Sequence, residues 1–357
     1  MTNVSIVFTI INEGKKAPPG WTKDSGHLIF NFNMDFTRKA RWVKDGHRSP
    51  DHTTSAYAGV VSRESVRAGL TYAELMDLEV MAADIQNAHL QALSSEKDFI
   101  VCGAEFGLEV FGKVALITHA LYGGKFTRRD FWHHLRDCMD HLGFTSCRAD
   151  PDVWMRAATK PDGEEYFEYV LIYVDDCLII LHKPEAILRE EIGNHFKLKE
   201  ESIGPPSHYL GGKLRQVTTA NIQKCWAFGS TQYVISAVDN VDEYLGKKGQ
   251  KLPAKALTPL SSKFCPEVDI SEELGEDEGS YYHSLIGVLR WIVELGRVDI
   301  CCELLMMSSH RALPRERHLG EVLHMFDYLK SHANSEMVFD PIRVEFDKSL
   351  FPKKDCG

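Results

Sequence analysis

The segment Val170 to Leu181 constrains this chain more than any other. Val170-Leu171-Ile172 and Cys177-Leu178-Ile179-Ile180-Leu181 are apolar runs interrupted only by Tyr173-Val174-Asp175-Asp176. Short continuous runs of this kind predict two buried strands, which places the acidic pair at the tip of a tight hairpin. Held rigidly at a sheet edge, two carboxylates can reach a hard cation. Magnesium favours one or two protein carboxylates, with phosphate oxygens and water completing its octahedron. On propensity alone the blander reading stays open, because Asp favours turns through hydrogen bonds to its own backbone.

The chain has 357 residues, enough for two or three lobes around more than one core. No apolar run approaches the roughly 20 residues that span a bilayer. The opening Met1-Thr2-Asn3-Val4-Ser5-Ile6-Val7-Phe8 lacks the basic leader and small-residue cleavage site of a secretory signal. Nine cysteines form no CxxC pair, and Cys102, Cys138, Cys147, Cys177 and Cys225 lie among apolar neighbours, as reduced core-filling thiols do. An intracellular protein is expected, in a cytoplasmic particle or the nucleus and not secreted. The formal net charge of -10 argues against a nucleic-acid partner, yet distribution matters more than the sum. Acid gathers between Glu267 and Glu278, and base gathers in Thr37 to Arg48 and Lys125 to Arg129. Each basic run reads either as a solvated face or as the lining of a phosphate-binding cleft.

Residues 1 to 25 read as a loosely ordered segment around Lys15-Lys16-Ala17-Pro18-Pro19-Gly20. His27 to Phe32 predicts a strand that Arg41-Trp42-Val43 continues as a hairpin. Arg63 to Leu78 predicts a helix capped by Ser62, and Leu78 to Asp84 a short apolar strand ending in a carboxylate. Asp84 to Ala92 reads as the start of a helix. Phe131 to Leu142 and Pro184 to Phe196 carry helical apolar spacing, and His208 to Val217 reads as a β-element around Tyr209-Leu210-Gly211-Gly212. Alternation of this kind is an α+β layer with helices on one face of a sheet. Beyond it come a helix at Gln232 to Asn240, an acidic linker, and a helical tail marked by Leu285, Ile286, Leu289, Ile292 and Val293 and by Leu319, Val322, Leu323, Phe326 and Leu329.

Asp84 is the third acid of interest, since a strand end projects its side chain from a sheet edge without disturbing the core. Taken alone it also reads as a helix cap. In an antiparallel layer that edge could lie beside Asp175-Asp176. Three acids together could hold two metals about 3.5–4 Å apart for an in-line phosphoryl displacement, which needs no covalent nucleophile.

In this order the motifs resemble the reverse transcriptase of copia-type retrotransposons, over roughly Gly26 to Lys330. Lys39-Ala40-Arg41-Trp42-Val43-Lys44-Asp45-Gly46 is similar to the family's Lys-Ala-Arg-Leu-Val-x-x-Gly, and Asp84-Ile85-Gln86-Asn87-Ala88-His89-Leu90 to Asp-Val-x-x-Ala-Phe-Leu. Leu121-Tyr122-Gly123-Gly124-Lys125 opens like Leu-Tyr-Gly-Leu-Lys-Gln-x-Pro-Arg, and Asp150-Pro151-Asp152-Val153-Trp154 resembles Asp-Pro-Cys-Leu-Phe. Tyr173-Val174-Asp175-Asp176 is identical to the family signature, and Tyr209-Leu210-Gly211 resembles the primer grip. Tyr282-His283-Ser284-Leu285-Ile286-Gly287 and Arg297-Val298-Asp299-Ile300 look like Tyr-x-Ser-Leu-x-Gly and Arg-Pro-Asp-Ile.

The resemblance implies a right-hand polymerase of fingers, palm and thumb, with a palm of antiparallel sheet backed by helices and a helical C-terminal region. On that scheme 26–205 are fingers and palm, 206–265 the primer-grip and thumb-like region, 266–280 the acidic linker and 281–357 the helical C-terminal region. Asp84, Asp175 and Asp176 would be the catalytic, metal-binding acids for two magnesium ions, with manganese as an alternative. Lys39 and Arg41 would lie over the nucleotide triphosphate, with His89, Lys125, Phe126 and Arg129 also facing the nucleotide, and Leu210 and Gly211 seating the primer. The implied activity is RNA-directed DNA polymerisation from deoxynucleoside triphosphates on a primed RNA or DNA template, beside other polyprotein products and without a membrane partner.

Two departures adjoin that chemistry. His89 replaces the aromatic ring that excludes a ribose 2′-hydroxyl. Phe126 replaces a glutamine, whose hydrogen bonds it cannot supply, and Arg128 a proline. The tail from Asp340 holds Asp347 and Asp355 but no complete nuclease set, as expected of a polymerase segment of a larger product or a diverged copy. Two other readings stand beside the polymerase: a catalytically silent retroelement remnant that binds nucleic acid or is structural, and a metal-dependent phosphohydrolase with a coincidental acidic hairpin.

Overall fold

The computed structural model describes residues 7–11, 14–32, 38–46, 55–220, 223–253, 255–262 and 264–342. It divides into two compact units, one running to Gly69 and over Met76–Pro205, the other combining Leu70–Leu75 with the chain from Pro206 onward.

The first unit contains β1 (Phe8–Ile10), β2 (Thr22–Lys23), β3 (Gly26–Phe32), β4 (Arg38–Lys44) and the start of α1 (Arg63–Leu75). It continues through β5 (Glu79–Asp84), β6 (Asp98–Val101), β7 (Val114–Ile117), α2 (Thr127–His141), β8 (Thr145–Ser146), β9 (Val153–Thr159), β10 (Glu165–Tyr173) and β11 (Asp176–Leu181). A five-stranded sheet of order β5-β11-β10-β9-β8 is antiparallel throughout. Its centre is the pair of apolar runs: Val170, Leu178, Ile179 and Ile180 have no exposed surface, and Leu171, Ile172, Cys177 and Leu181 are buried. Burial on both faces explains why the sequence does not alternate there. Each such aliphatic side chain contributes about 1.5–3 kcal/mol relative to leaving it in water.

Helices pack on this sheet through small residues and periodic apolar stripes. Gly69 lets α1 approach closely, since a Cβ there would meet Ile180 Cδ1 at 2.8 Å. Ser62 caps α1 by accepting the Ser65 N–H at 3.2 Å. In α2 the expected stripe of Phe131, Leu135 and Met139 is buried. The predicted helix at 184–196 forms with its middle, Ile187–Ile192, in π turns. Ile187 and Ile192 lie five residues apart, a spacing that the wider turn brings to one face.

The predicted loose segment at 1–25 is partly ordered. β1 pairs with β7, β2 with β6, and Val7, Phe8, Ile100, Ala115 and Ile117 form a small core. Charged and turn-rich sequence between these short strands obscured them. Residues 1–6 of that segment lie outside the described residues, as do Thr37, His47 and Arg48 of the basic run and Asp347 and Asp355 of the tail.

In the second unit a sheet of order β12-β13-β14-β15 joins His208–Tyr209, Gly212–Thr218, Lys224–Gly229 and Glu336–Val338. Four helices, α3 (Thr231–Lys247), α4 (Glu276–Glu294), α5 (Cys301–Ser308) and α6 (Glu316–Ser331), bury one shared core that includes Val238, Leu289, Met307 and Phe326. Two expectations change here. The acidic stretch 266–280 is a linker only in part, because Glu276, Asp277 and Glu278 form the first turn of α4, where the helix dipole favours negative charge. The tail is not wholly helical, because β15 pairs with β14 at Ala227↔Val338. Cys102, Cys138, Cys177 and Cys225 are buried free thiols and Cys147 is half-buried. No helix among the described residues is long and apolar enough to cross a membrane.

Candidate active site

The β10–β11 register pairs Tyr173 with Asp176, so Val174 and Asp175 are the two residues of the turn and Asp176 is the first residue of β11. Val174 has a φ of 59°. That region crowds a β-branched side chain at a cost of roughly 1–2 kcal/mol. The buried strands on either side hold the turn in this conformation. Strain of this kind, forced by surrounding structure, gathers at functional sites.

The β11–β5 register sets Asp176 directly opposite Asp84. The Ile85 N–H donates to the Asp175 carbonyl at 2.9 Å, tying the end of β5 to the turn. Three acids from sequence positions some ninety residues apart are therefore gathered along one sheet edge. Like charges opposed across strands are destabilising. Burial, together with the charges of Asp175 and Asp84, pushes the Asp176 carboxyl up to about 6, against a partial offset from Lys199. Asp84 does not cap a helix: the next helical turn, Ala88–Gln91, is a 3-10 turn that begins after Asn87.

Lys199 was not among the residues expected here. Its Nζ lies 2.7 Å from Asp84 Oδ2. Main-chain hydrogen bonds set it there: Lys199 N–H donates to the Asp84 carbonyl at 2.9 Å, and Gln86 N–H to the Lys197 carbonyl at 2.9 Å. Asp84 N–H donates to Ser202 Oγ at 2.8 Å, and that hydroxyl donates to the Lys199 carbonyl at 2.7 Å. Phe196 and Leu198 are buried while the lysines between and after them are not. That two-residue alternation was visible as a sign of extended backbone, but nothing local points it at Asp84. Among the described residues no three acidic, histidine or cysteine side chains are grouped closely enough to hold a metal ion as they stand. An ammonium already occupies one Asp84 oxygen.

Above the acids lies an aromatic and basic cluster. The Arg41 guanidinium sits 5.3 Å from the centre of the Tyr122 ring, which packs edge-on against His89 at 5.4 Å. Burial raises the Tyr122 hydroxyl, with Asp175 and Asp84 adding to the shift and Arg41 and Lys199 opposing it. Tyr122 was read only as part of a motif, yet it feels every charge at this edge. Burial lowers the His89 imidazole, Asp175 opposes that shift, and Arg128 adds to it. His89 also packs on Phe131 at 5.7 Å, and its Nδ1 is buried without a hydrogen-bond partner.

Two glycines bring this cluster together. Gly123 (φ 86°) and Gly46 let two backbones touch: a Cβ on Gly46 would fall 2.1 Å from the Gly123 carbonyl oxygen, and one on Gly123 2.1 Å from that of Lys44. The Lys44 N–H donates to the Tyr122 carbonyl at 2.7 Å. Lys44 itself turns inward, against Asp24 at 3.4 Å, Glu96 at 3.1 Å and Asp98.

The remaining candidates are placed less favourably for a ligand. Phe126 is only 3% exposed and lies beneath the Arg129 guanidinium at 4.1 Å, so its ring offers no open face. Arg129 is spent internally, donating to Ser95 Oγ at 2.7 Å, to Asp130 Oδ1 at 3.1 Å and to the Ser55 carbonyl at 3.3 Å. Helix spacing explains both: they fall at the start of α2, whose first turn packs inward. Lys125 is half-buried. Lys39 lies in β4 opposite Asn31, and its side chain lies outside the described residues. In the second unit Leu210 (φ 50°) and Gly211 (φ 82°) form the turn between Tyr209 and Gly212, with the two left-handed residues typical of a two-residue hairpin.

Comparison with known proteins agrees with the order of these motifs. The family model described as reverse transcriptase (RNA-dependent DNA polymerase) matches residues 14–245. The retrovirus-related Pol polyprotein from transposon TNT 1-94 of Nicotiana tabacum is 28% identical over 297 residues, covering 80% of this chain. A putative transposon Ty5-1 protein of Saccharomyces cerevisiae is 24% identical over 216 residues, covering 58%. The chain spans 21% of the first relative's length and 63% of the second's. A solved foamy viral protease-reverse transcriptase in complex with double-stranded DNA aligns with 91% of this chain and 45% of its own at a TM-score of 0.41 and 11% identity. With most of its length matched by one family model and its signature motifs in order, the chain belongs to the reverse transcriptase (RNA-dependent DNA polymerase) family, in the branch carried by copia-type retrotransposons.

Proposed function

We propose that the chain performs RNA-directed DNA polymerisation, transferring a nucleotide from a deoxynucleoside triphosphate to a primer 3′-hydroxyl. The observation that carries this reading is the register Asp84↔Asp176 beside the Asp175 turn. The donor set fits magnesium, being carboxylate oxygen throughout, and crowding of negative charge on Asp176 is what a hard cation relieves. Bound magnesium supplies charge neutralisation for the leaving pyrophosphate and a more acidic primer hydroxyl. Asp84, Asp175 and Asp176 would hold it, with manganese as a substitute. Arg41, fixed over Tyr122, is placed to meet the triphosphate. His89, backed by Tyr122 and Phe131, takes the sugar-facing position. The β3–β4 hairpin serves as fingers, the five-stranded sheet as palm and the second unit as thumb, with Leu210 and Gly211 seating the primer on an RNA or DNA template inside the cell.

Primer extension with wild type and Asp175→Asn tests this. We expect magnesium-dependent extension to fall by about 100-fold or more in the mutant, as for loss of one preorganised electrostatic group. Unchanged extension removes the proposal. A second reading, a silent remnant that binds nucleic acid without polymerising, draws support from the buried Phe126 and the internally bonded Arg129. It predicts salt-dependent template–primer binding by the wild type with no incorporation at all.

A further inference from the structure

We infer that Lys199 is a built-in counter-ion of the acidic edge, pairing with Asp84 and competing with a divalent cation for it. The inference rests on the polymerase reading above, in which Asp84 is a metal ligand. Its own support is geometric. The 2.7 Å contact between Lys199 Nζ and Asp84 Oδ2 is not a chance meeting of two long side chains. Both Cα positions are set by the Lys199 N–H on the Asp84 carbonyl and by Ser202 Oγ, which accepts from Asp84 N–H and donates to the Lys199 carbonyl.

Exposure makes the contact reversible. The Lys199 side chain is 42% exposed and that of Asp84 25%, so the ammonium can leave toward water with little desolvation cost. A dication approaching Asp84 must therefore displace a single positive charge or share the carboxylate with it. Shared occupancy sets two like charges a few ångströms apart, which is unfavourable even at high dielectric. The acidic edge thus carries its own competitor, and its affinity for a cation in the free protein lies below what the three carboxylates alone would give. Lys199 acts here as a positioning residue, through Asp84.

Manganese titration of the full chain, without nucleotide or nucleic acid, tests this by electron paramagnetic resonance of the free ion. We expect Lys199→Met and Lys199→Gln to bind manganese about two- to tenfold more tightly than wild type. Lys199→Arg, which keeps the charge, should stay within about twofold. The glutamine variant guards against misfolding of the methionine one. Unchanged or weaker binding in both neutral variants overturns the inference. If Asp175→Asn weakens binding while the neutral lysine variants do not change it, only the counter-ion role falls. If Asp175→Asn also leaves binding unchanged, the acids do not hold the ion, and both the role and the reading beneath it fall.

Discussion

Two places in the first unit set one lysine against three carboxylates, and they could hardly be used more differently. Lys44 is 2% exposed and contacts Asp24, Glu96 and Asp98, themselves 5%, 6% and 8% exposed. Burial alone would strip the proton from that ammonium, but hydrogen bonding to Asp98 and the charges of Glu96 and Asp98 outweigh it and raise its pKa. Lys199 touches one carboxylate of its three and is half open to water. The same residue types therefore make a closed tie in one place and an open, under-neutralised edge in the other. Net charge does not separate them; what separates them is whether the cation reaches every acid. A polar cluster that closes on itself stabilises a fold, and one left open is available to a ligand.

Removing each lysine is the sharpest way to break that comparison. Lys44→Met leaves three buried carboxylates without their cation and should cost about 3–5 kcal/mol. Urea denaturation would show the midpoint falling steeply, or expression failing. A loss under about 1 kcal/mol would mean water already serves those acids, and the closed tie would be no tie.

The open edge should behave in the opposite sense, because there the charge is the burden. Asp176 is held up near 6 against an ordinary 3.8, so the folded state resists ionising it. The sign follows from linkage: stability is highest below the unfolded value, declines as pH rises from about 4 to about 6, and the loss is complete above that. Asp176→Asn removes the burden. It should stabilise the protein by about 1–3 kcal/mol at pH 7 and by almost nothing at pH 4. Thermal melts at the two pH values measure this, and a mutant less stable at pH 7 would show that the acid edge is no source of strain.

The two clusters also differ in how legible they were. Asp175 and Asp176 announce themselves because the apolar runs around them leave one place for a turn, and Asp84 because a buried strand ends on it. Strand register then did what sequence could not, setting Asp84 opposite Asp176 rather than one residue aside. Lys199 stayed hidden because its partner lies 115 positions away and its tether is main chain, which carries no residue signature. Lys44 was misleading for the reverse reason. It sits in a basic run that reads as a phosphate face, and only the fold turns it inward. Phe126 and Arg129 failed likewise, since a motif position fixes the order of residues along the chain and not which way the first turn of a helix faces. The αL residues Leu210 and Val174 were beyond composition altogether, neither being a residue type that favours positive φ.

The smallest effect is the most discriminating. Lys199→Met should cost the fold only about 0.2–1 kcal/mol, because an exposed pair exchanges one good solvent for one good partner. Salt then separates the two lysines on physical grounds. At 1 M ionic strength the screening length is about 3 Å, comparable with the contact itself, so the Lys199 pair is already worth little and its removal should become silent. Counter-ions cannot enter around Lys44, whose acids are walled off from solvent, and its substitution should cost nearly the same at low and high salt. Denaturation curves for both mutants at 0.05 M and 1 M sodium chloride make the test. If the Lys44 penalty also collapsed in salt, the acids around it would be reachable by ions, and the line between a closed and an open cluster would have to be drawn elsewhere.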